Sequence, residues 1–135
     1  MPNREAIFPA GPHRHALYDK HRYSPAIRSG DLLFVSGQVG SRDDGSPEPV
    51  FEDQVRRAFA NLKEVLKAAG CTFDDVIDVT SFHTNPEAQF ETFMAVRATE
   101  IGEAPYPNWT AVGVNWLSGF DVEIKVVARI PAAGR

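Results

Sequence analysis

The stretch that decides the fold is His21-Arg-Tyr-Ser-Pro-Ala-Ile-Arg-Ser-Gly-Asp-Leu-Leu-Phe-Val-Ser-Gly-Gln-Val-Gly40. Within it, the apolar run Leu32–Val35 lies between Gly30 and Gly37. A short apolar run bounded by glycines is typical of a buried strand. The nine residues from Ser41 to Pro49 are polar and rich in turn formers, so a loop is expected to follow the strand.

Two helices are predicted downstream of this strand. From Phe51 to Ala69, apolar residues recur at a spacing of three and four, and Gly70 follows as a natural helix stop. Asn85 and Pro86 are suited to begin the second helix as its N-cap and its first helical residue, and Gly102 can end it. The side of the second helix that is expected to be buried holds Phe90, Phe93, Met94 and Ile101.

Alternating patterns predict strands after the helices. Ile77, Val79, Ser81 and His83 are expected on one face of a strand, because they alternate with more polar neighbours. In the last strand, one face is expected to hold Phe120, Val122, Ile124, Val126, Ala128 and Ile130. Glu123 and Lys125 lie on its opposite face, beside apolar neighbours.

These elements predict an α+β domain in which two helices cover one face of a mixed sheet. Such an arrangement buries both helical stripes and leaves the other sheet face to self-association, the commonest way to cover such a face. A chain of 135 residues is expected to form one domain, residues 1–135. Prolines, glycine and scattered charges predict an irregular N-terminal arm over residues 1–20.

Composition restricts the classes of partner. The chain has 14 basic and 18 acidic residues and a net charge of −4, so it lacks a general attraction for phosphate backbones, and no nucleic acid is expected. No apolar run approaches the ~20 residues needed to span a bilayer, and no secretory signal is apparent. The single cysteine, Cys71, suits a reducing compartment. A cytoplasmic protein that does not associate with membranes is therefore expected.

The sequence predicts no metal and no cofactor. His13, His15 and His21 form the one group that resembles a metal site, but they lie in the predicted arm without a further cysteine or clustered carboxylates. Solvated histidines are therefore expected. The chain contains neither a phosphate-loop lysine nor a dinucleotide fingerprint.

The stretch from His21 to Gly40 resembles the N-terminal signature of the Rid (YjgF-type) family of reactive-intermediate deaminases. The turn Ala68-Ala-Gly-Cys-Thr-Phe-Asp-Asp-Val76 resembles the family as well, and the likeness extends from about Arg22 to Pro131. This resemblance implies a chorismate-mutase-like α+β fold. It also implies a homotrimer that binds a small-molecule ligand in clefts between subunits.

The resemblance also implies roles for individual residues. Tyr23, Ser36 and Gly37 stand at cleft positions, and Glu123 stands where the family has the glutamate that positions or activates the attacking water. The family's carboxylate-binding arginine is missing from Pro105-Tyr-Pro-Asn-Trp-Thr-Ala-Val-Gly-Val-Asn-Trp-Leu117, where Trp109 takes its place beside the predicted cleft residues Thr110 and Ala111. An arginine holds a carboxylate through two parallel charge-assisted hydrogen bonds, whereas tryptophan offers one neutral donor.

Three functions follow as alternatives. The first is a trimer that binds a small metabolite and is not a standard 2-aminoacrylate deaminase. The second is hydrolysis of a different enamine, imine or related C–N substrate, with Glu123 handling the water. The third, an endoribonuclease, is disfavoured by the acidic net charge. Arg97, which interrupts the apolar stripe of the second helix, and Lys125, which shares a strand face with Glu123, are the candidates to replace the missing cation.

Overall fold

The computed structural model describes residues 3–132, which form six strands and three α-helices. The strands are β1 (Glu5–Ile7), β2 (Ala26–Ser29), β3 (Leu32–Val39), β4 (Val76–His83), β5 (Asn108–Gly113) and β6 (Val122–Arg129). The helices are α1 (Leu17–His21), α2 (Phe51–Ala68) and α3 (Pro86–Glu100). Short 3-10 turns occupy Gly11–His13 and Phe73–Asp75.

All six strands belong to one mixed sheet, in the order β1-β2-β3-β6-β4-β5. Neighbouring strands are antiparallel except β4 and β5, which run parallel. A parallel pair needs a crossover connection, and α3 supplies it. The predicted α+β class, with its two long helices against one face of the sheet, is confirmed.

Helix α2 packs its apolar stripe against the centre of the sheet, as its spacing predicts. The stripe is fully or almost fully buried and consists of Val55, Ala58, Phe59, Leu62, Val65 and Leu66. Gly70 follows the helix with φ +77°, a left-handed conformation that glycine adopts without steric cost. Phe59 also packs against Phe93 of α3, with ring centroids 6.2 Å apart, and an ion pair between Lys63 and Glu100 joins the two helices.

The buried side of α3 agrees with the prediction only in part. Gln89, Phe93 and Val96 are buried, whereas Phe90 is 54% exposed. Gln89 faces inward because its side chain accepts a hydrogen bond from the backbone N–H of Asn85 (3.1 Å) and donates one to Thr84 Oγ1 (3.1 Å). Asn85 occupies the N-cap position, but its side chain makes no capping hydrogen bond.

Two residues that the alternating patterns assign to strand faces lie elsewhere. The pairing of β4 with β6 shifts between Val76 and Asp78, and Ile77 is 45% exposed. Val79, Ser81 and His83 share one face, as the alternation predicts, and that face is buried. Phe120 precedes β6 instead of belonging to it. The buried face of β6 itself is confirmed and consists of Val122, Ile124, Val126 and Ala128.

Residues 3–20 contain a strand and a helix, in contrast to the irregular arm expected over residues 1–20. Strand β1 pairs antiparallel with β2, and α1 follows. Tyr18 is buried at the centre of an aromatic cluster: the ring centroids of His15 and Tyr23 lie 4.2 and 4.9 Å from its own, and that of Phe8 lies 6.0 Å away. Burial of these aromatic surfaces offsets the entropy of ordering a segment rich in proline and glycine.

The face of the sheet opposite the helices is called here the outer face. It carries Glu123 and Lys125 of β6 together with apolar side chains, as the alternation in β6 predicts. Phe34 on this face is 43% exposed and Val112 is 36% exposed. Among residues 3–132, no helix combines the length and the apolarity that crossing a membrane requires.

Candidate functional site

A cavity of about 530 Å³ lies where α1, the end of β3 and the loop before β6 meet. Tyr23, Gly37 and Glu123, three residues that sequence analysis predicts for the cleft, line it. These three residues and the cavity are called the carboxylate pocket. Its wall is mainly apolar and aromatic, and it includes Leu17, Val39, Trp116, Leu117 and Phe120.

Glu123 is the acidic group of the carboxylate pocket. It lies on the outer face of β6 and is half-buried. Within residues 3–132, its carboxylate has neither an ion-pair partner nor a hydrogen-bond partner. Burial raises the pKa of Glu123, and the nearby Lys125 partly opposes that rise. A carboxyl group with a raised pKa and unused hydrogen-bonding capacity is suited to accept and donate a proton.

Gly37 lets β3 pass close to this carboxyl group. A Cβ atom at position 37 would lie 2.4 Å from Glu123 Cδ, much closer than two carbon atoms can approach. The register of β3 against β6 shifts between Val35 and Gln38, and Gly37 occupies that irregularity. A larger residue at position 37 would therefore displace the Glu123 side chain from its place in the cavity.

Tyr23 and Ser36 take different roles. Burial raises the pKa of Tyr23, and the nearby Tyr18 and Glu123 raise it further, because its phenol and the Glu123 carboxyl face the same cavity. Ser36 instead donates its hydroxyl hydrogen bond to the backbone carbonyl of Ser24 (2.7 Å). Ser36 therefore holds the segment that carries Tyr23, and it does not line the carboxylate pocket.

Trp109 lies on the other face of the sheet from Glu123. Strand pairing places Trp109 opposite Val79, whose side chain is buried under the helices, whereas Glu123 pairs with Phe82 on the outer face. The indole packs edge-on against Phe93, with centroids 6.1 Å apart. Its Nε1–H donates a hydrogen bond to Ser81 Oγ (3.0 Å).

Ser81 and His83 form a buried polar pair under Trp109. Ser81 Oγ and His83 Nε2 lie 2.8 Å apart, and both residues are almost completely buried. Burial lowers the pKa of His83, so its ring is neutral at neutral pH. The alternation in the sequence predicts that both residues share one face of a strand, but nothing in their spacing indicates that Ser81 holds the indole of Trp109.

Arg97 of α3 covers Trp109. The central carbon of its guanidinium lies 3.8 Å from the centre of the indole, and its Nη1 donates a weak hydrogen bond to Met94 Sδ (3.3 Å). No carboxylate in residues 3–132 lies within ion-pair distance of it. Burial lowers the pKa of Arg97, as expected for a cation partly removed from water.

The remaining predicted residues lie at the sheet edge or on the outer face. Ala111 pairs with Ser81, on the same face as Trp109, and is exposed. Thr110 and Lys125 both pair with Thr80 on the outer face, and both are exposed. We call Trp109, Arg97 and Ala111 the arginine corner. The carboxylate pocket and the arginine corner thus lie on opposite faces of one sheet.

Several wall residues of the carboxylate pocket are not assigned to the cleft from the sequence. His15 and His21 line it, and His15 stacks on Tyr18 instead of being solvated. Trp116 is 71% exposed at the mouth of the pocket. An exposed tryptophan next to the turn at Ser118 and Gly119 is the signal that could have indicated it. In residues 3–132, no group of three or more His, Cys, Asp or Glu side chains is arranged to hold a metal ion.

The amino-acid sequence matches a known protein family. Residues 13–130 match the sequence model of the family described as Endoribonuclease L-PSP. The chain is 70% identical over 131 residues to the RutC family protein YjgH of Escherichia coli K12, which covers 97% of this chain and 98% of that protein. A 2-iminobutanoate/2-iminopropanoate deaminase of Dermatophagoides farinae is 32% identical over 113 residues, which cover 80% of this chain and 85% of that protein.

A solved structure agrees with the sequence comparison. The structure of protein YJGH superposes with a TM-score of 0.91 at 69% identity and covers 97% of this chain and 99% of that chain. The likeness to solved relatives confirms the chorismate-mutase-like fold. On sequence and structure together, the chain belongs to the YjgF/Rid family.

Proposed function

We propose that the protein is a homotrimer that binds a small metabolite in clefts between its copies. In each cleft, the carboxylate pocket of one copy faces the arginine corner of its neighbour. The division of the predicted site residues between two faces supports this arrangement, because a single chain cannot bring Glu123 and Trp109 to one ligand. The apolar side chains exposed on the outer face, among them Phe34 and Val112, support self-association as well.

One observation favours chemistry over binding alone. Glu123 is a half-buried carboxyl group with a raised pKa, and it faces a cavity without an ion-pair partner. In hydrolysis of an imine, it would take a proton from water as the water oxygen bonds to the C=N carbon. Glu123 passes this proton to the nitrogen and then transfers the remaining hydroxyl proton to it as well. The C–N bond breaks, the nitrogen leaves as ammonia, and the carbon becomes a carbonyl. A relative named 2-iminobutanoate/2-iminopropanoate deaminase makes this class of reaction the best candidate.

The substrate is expected to differ from 2-aminoacrylate. Trp109 stands where the family resemblance predicts an arginine, and its ring is already engaged by Ser81 and Arg97. The wall formed by Leu17, Trp116 and Leu117 offers a broad apolar surface to a larger side chain. The proposed activity is therefore hydrolysis of an imine or enamine with a bulkier apolar group than 2-aminoacrylate has.

The test measures release of ammonia and of the carbonyl product from 2-aminoacrylate and from several bulkier imines, each generated in situ. Wild type should turn over a bulkier imine in preference to 2-aminoacrylate. The Glu123→Gln variant should lose at least about 100-fold in rate, a typical loss for removal of a general base. Lys125→Gln, two residues away on the same face, is the matched control and should stay active.

Three results would contradict parts of the proposal. Efficient hydrolysis of 2-aminoacrylate would overturn the conclusion drawn from Trp109. Full activity of Glu123→Gln would remove Glu123 from the chemistry. If the wild-type protein binds these compounds but hydrolyses none of them, only the binding function remains. An endoribonuclease activity, which the family description names, is not proposed, because the net charge of −4 disfavours nucleic-acid binding.

A further inference from the structure

Arg97 carries a positive charge that nothing in the described chain neutralises. Its side chain is partly buried between α3 and β5, and the carboxylates of residues 3–132 that form ion pairs do so with other bases. Glu100, one turn along the same helix, is paired with Lys63. Partial burial of an unpaired cation is unfavourable, and such a group is a candidate to bind an anion from outside the chain.

The guanidinium is also held in a defined orientation. It lies over the indole of Trp109, whose Nε1–H is fixed by Ser81 Oγ, and Ser81 is fixed in turn by His83. A guanidinium stacked on an aromatic ring keeps its N–H donors in its own plane, directed away from the ring. Within residues 3–132, the guanidinium of Arg97 makes one hydrogen bond, to Met94 Sδ. Sulfur is a weak acceptor, and most of the guanidinium donors are left free.

We propose that Arg97 binds the carboxylate of the substrate, so that the ligand of this site is a small organic acid. This inference rests on the proposed function, because it places the acid in the cleft that the arginine corner shares with Glu123 of a neighbouring copy. The guanidinium projects from helix α3 and not from strand β5. The carboxylate is therefore bound over the indole, displaced from the position that an arginine at 109 would give it.

Carboxylate fits this position better than phosphate. Arg97 lies in the last turn of α3, where the helix dipole is negative and disfavours a doubly charged anion. Phosphate sites usually draw on several backbone N–H groups at the beginning of a helix, whereas Arg97 lies in the last turn of α3. A planar guanidinium can hold a single carboxylate by two parallel hydrogen bonds.

The alternative cation, Lys125, is less suited to this role. It is exposed on the outer face and lies close enough to Glu123 to lower its pKa. A substrate carboxylate bound by Lys125 would therefore lie beside the Glu123 carboxylate, and like charges at short distance repel. Arg97 approaches the cleft from the opposite copy and keeps the two negative groups apart.

The experiment compares an acid with its uncharged analogue. The probes are 4-methyl-2-oxopentanoate and its primary amide, titrated calorimetrically into the full-length assembled protein. Wild type should bind the acid more tightly than the amide. Arg97→Gln should weaken binding of the acid by about 10- to 100-fold and leave the amide unchanged, since a hydrogen-bonded charge contributes this much. Lys125→Gln should leave the preference for the acid intact.

Two further arms keep the result decisive. Inorganic phosphate should fail to displace the acid, and its displacement of the acid would overturn the carboxylate assignment. Should Arg97→Gln fail to fold or assemble, Arg97→Lys decides, since it keeps the charge but loses the planar fork. Arg97→Lys should weaken binding of the acid by about tenfold or more. Unchanged binding would overturn the proposal.

The remaining outcomes separate this inference from the proposed function. Equal binding of acid and amide by wild type, or equal weakening of both by Arg97→Gln, would overturn the role of Arg97. If Arg97→Gln loses binding of the acid while Glu123→Gln keeps full turnover, the proposed chemistry is wrong and the carboxylate site is supported. If Glu123→Gln loses turnover while Arg97→Gln binds the acid normally, only the carboxylate site fails.

Discussion

At Glu123, proton transfer and folding stability place opposite demands on one residue. Burial raises its pKa, so the folded protein binds this proton more tightly than the unfolded chain does. Its contribution to stability is complete below the unfolded pKa of about 4.3 and is lost as pH rises through the raised folded pKa. At neutral pH, the ionised carboxyl therefore costs stability.

Replacement of this group by its uncharged isostere should expose that cost. We expect Glu123→Gln to be more stable than wild type at pH 7, with the difference shrinking as pH falls towards about 4. Denaturant unfolding of both proteins at several pH values measures it. Lys125→Gln should change stability in the opposite direction, because Lys125 lowers the pKa of Glu123. A difference between wild type and Glu123→Gln that stays constant with pH would contradict this account.

At the scale of elements, sequence predicts best where one periodic pattern decides burial. The stripe of α2 and the alternation of β6 each face a single environment, and both are confirmed. The N-terminal segment escapes prediction because its order comes from aromatic contacts of Tyr18 across sequence, not from local periodicity. The exposure of Ile77 escapes because it depends on an irregular register with another strand.

Strand β5 lies at the edge of the sheet and is held there in part by the partly buried side chain of Trp109. It pairs with β4 alone, and Trp109 adds a side-chain hydrogen bond to Ser81 on that neighbour. We expect Ser81→Ala to cost about 1–3 kcal/mol, because the partly buried indole N–H and the buried His83 both lose their partner. Chemical unfolding measures the loss. Trp109→Phe removes the donor, so the cost of Ser81→Ala should be smaller in that background; equal costs would contradict a hydrogen-bond role.

At the scale of the whole molecule, sequence and structure contribute different parts of the site. The resemblance identifies Tyr23, Gly37 and Glu123, and the structure brings them together in one cavity. It also identifies Trp109, but not the fact that Trp109 lies on the other face. That separation follows from strand register, which combines pairing and irregularities along β3 and β4 that no local pattern encodes.

The proposed assembly depends on the outer face. Phe34 lies there, and a glutamate at this position would place a charge in the middle of a contact between copies. We expect Phe34→Glu to remain folded as a monomer and to lose ligand binding, as measured by sedimentation and calorimetry. Val50→Glu is the control, since Val50 is exposed at the start of α2 and a carboxylate is favourable there. Assembled Phe34→Glu protein would contradict the interface.

The placement of Glu123 and Arg97 on opposite faces of one sheet has a genetic consequence. In the proposed trimer, one chain with Glu123→Gln and another with Arg97→Gln, each impaired alone, should restore each other. A cleft is intact when its glutamate comes from an Arg97→Gln chain and its arginine comes from a Glu123→Gln chain. Random mixing in equal amounts should restore about a quarter of the clefts. Intragenic complementation of this kind, tested by co-refolding the two variants, cannot occur if each chain carries its own complete site.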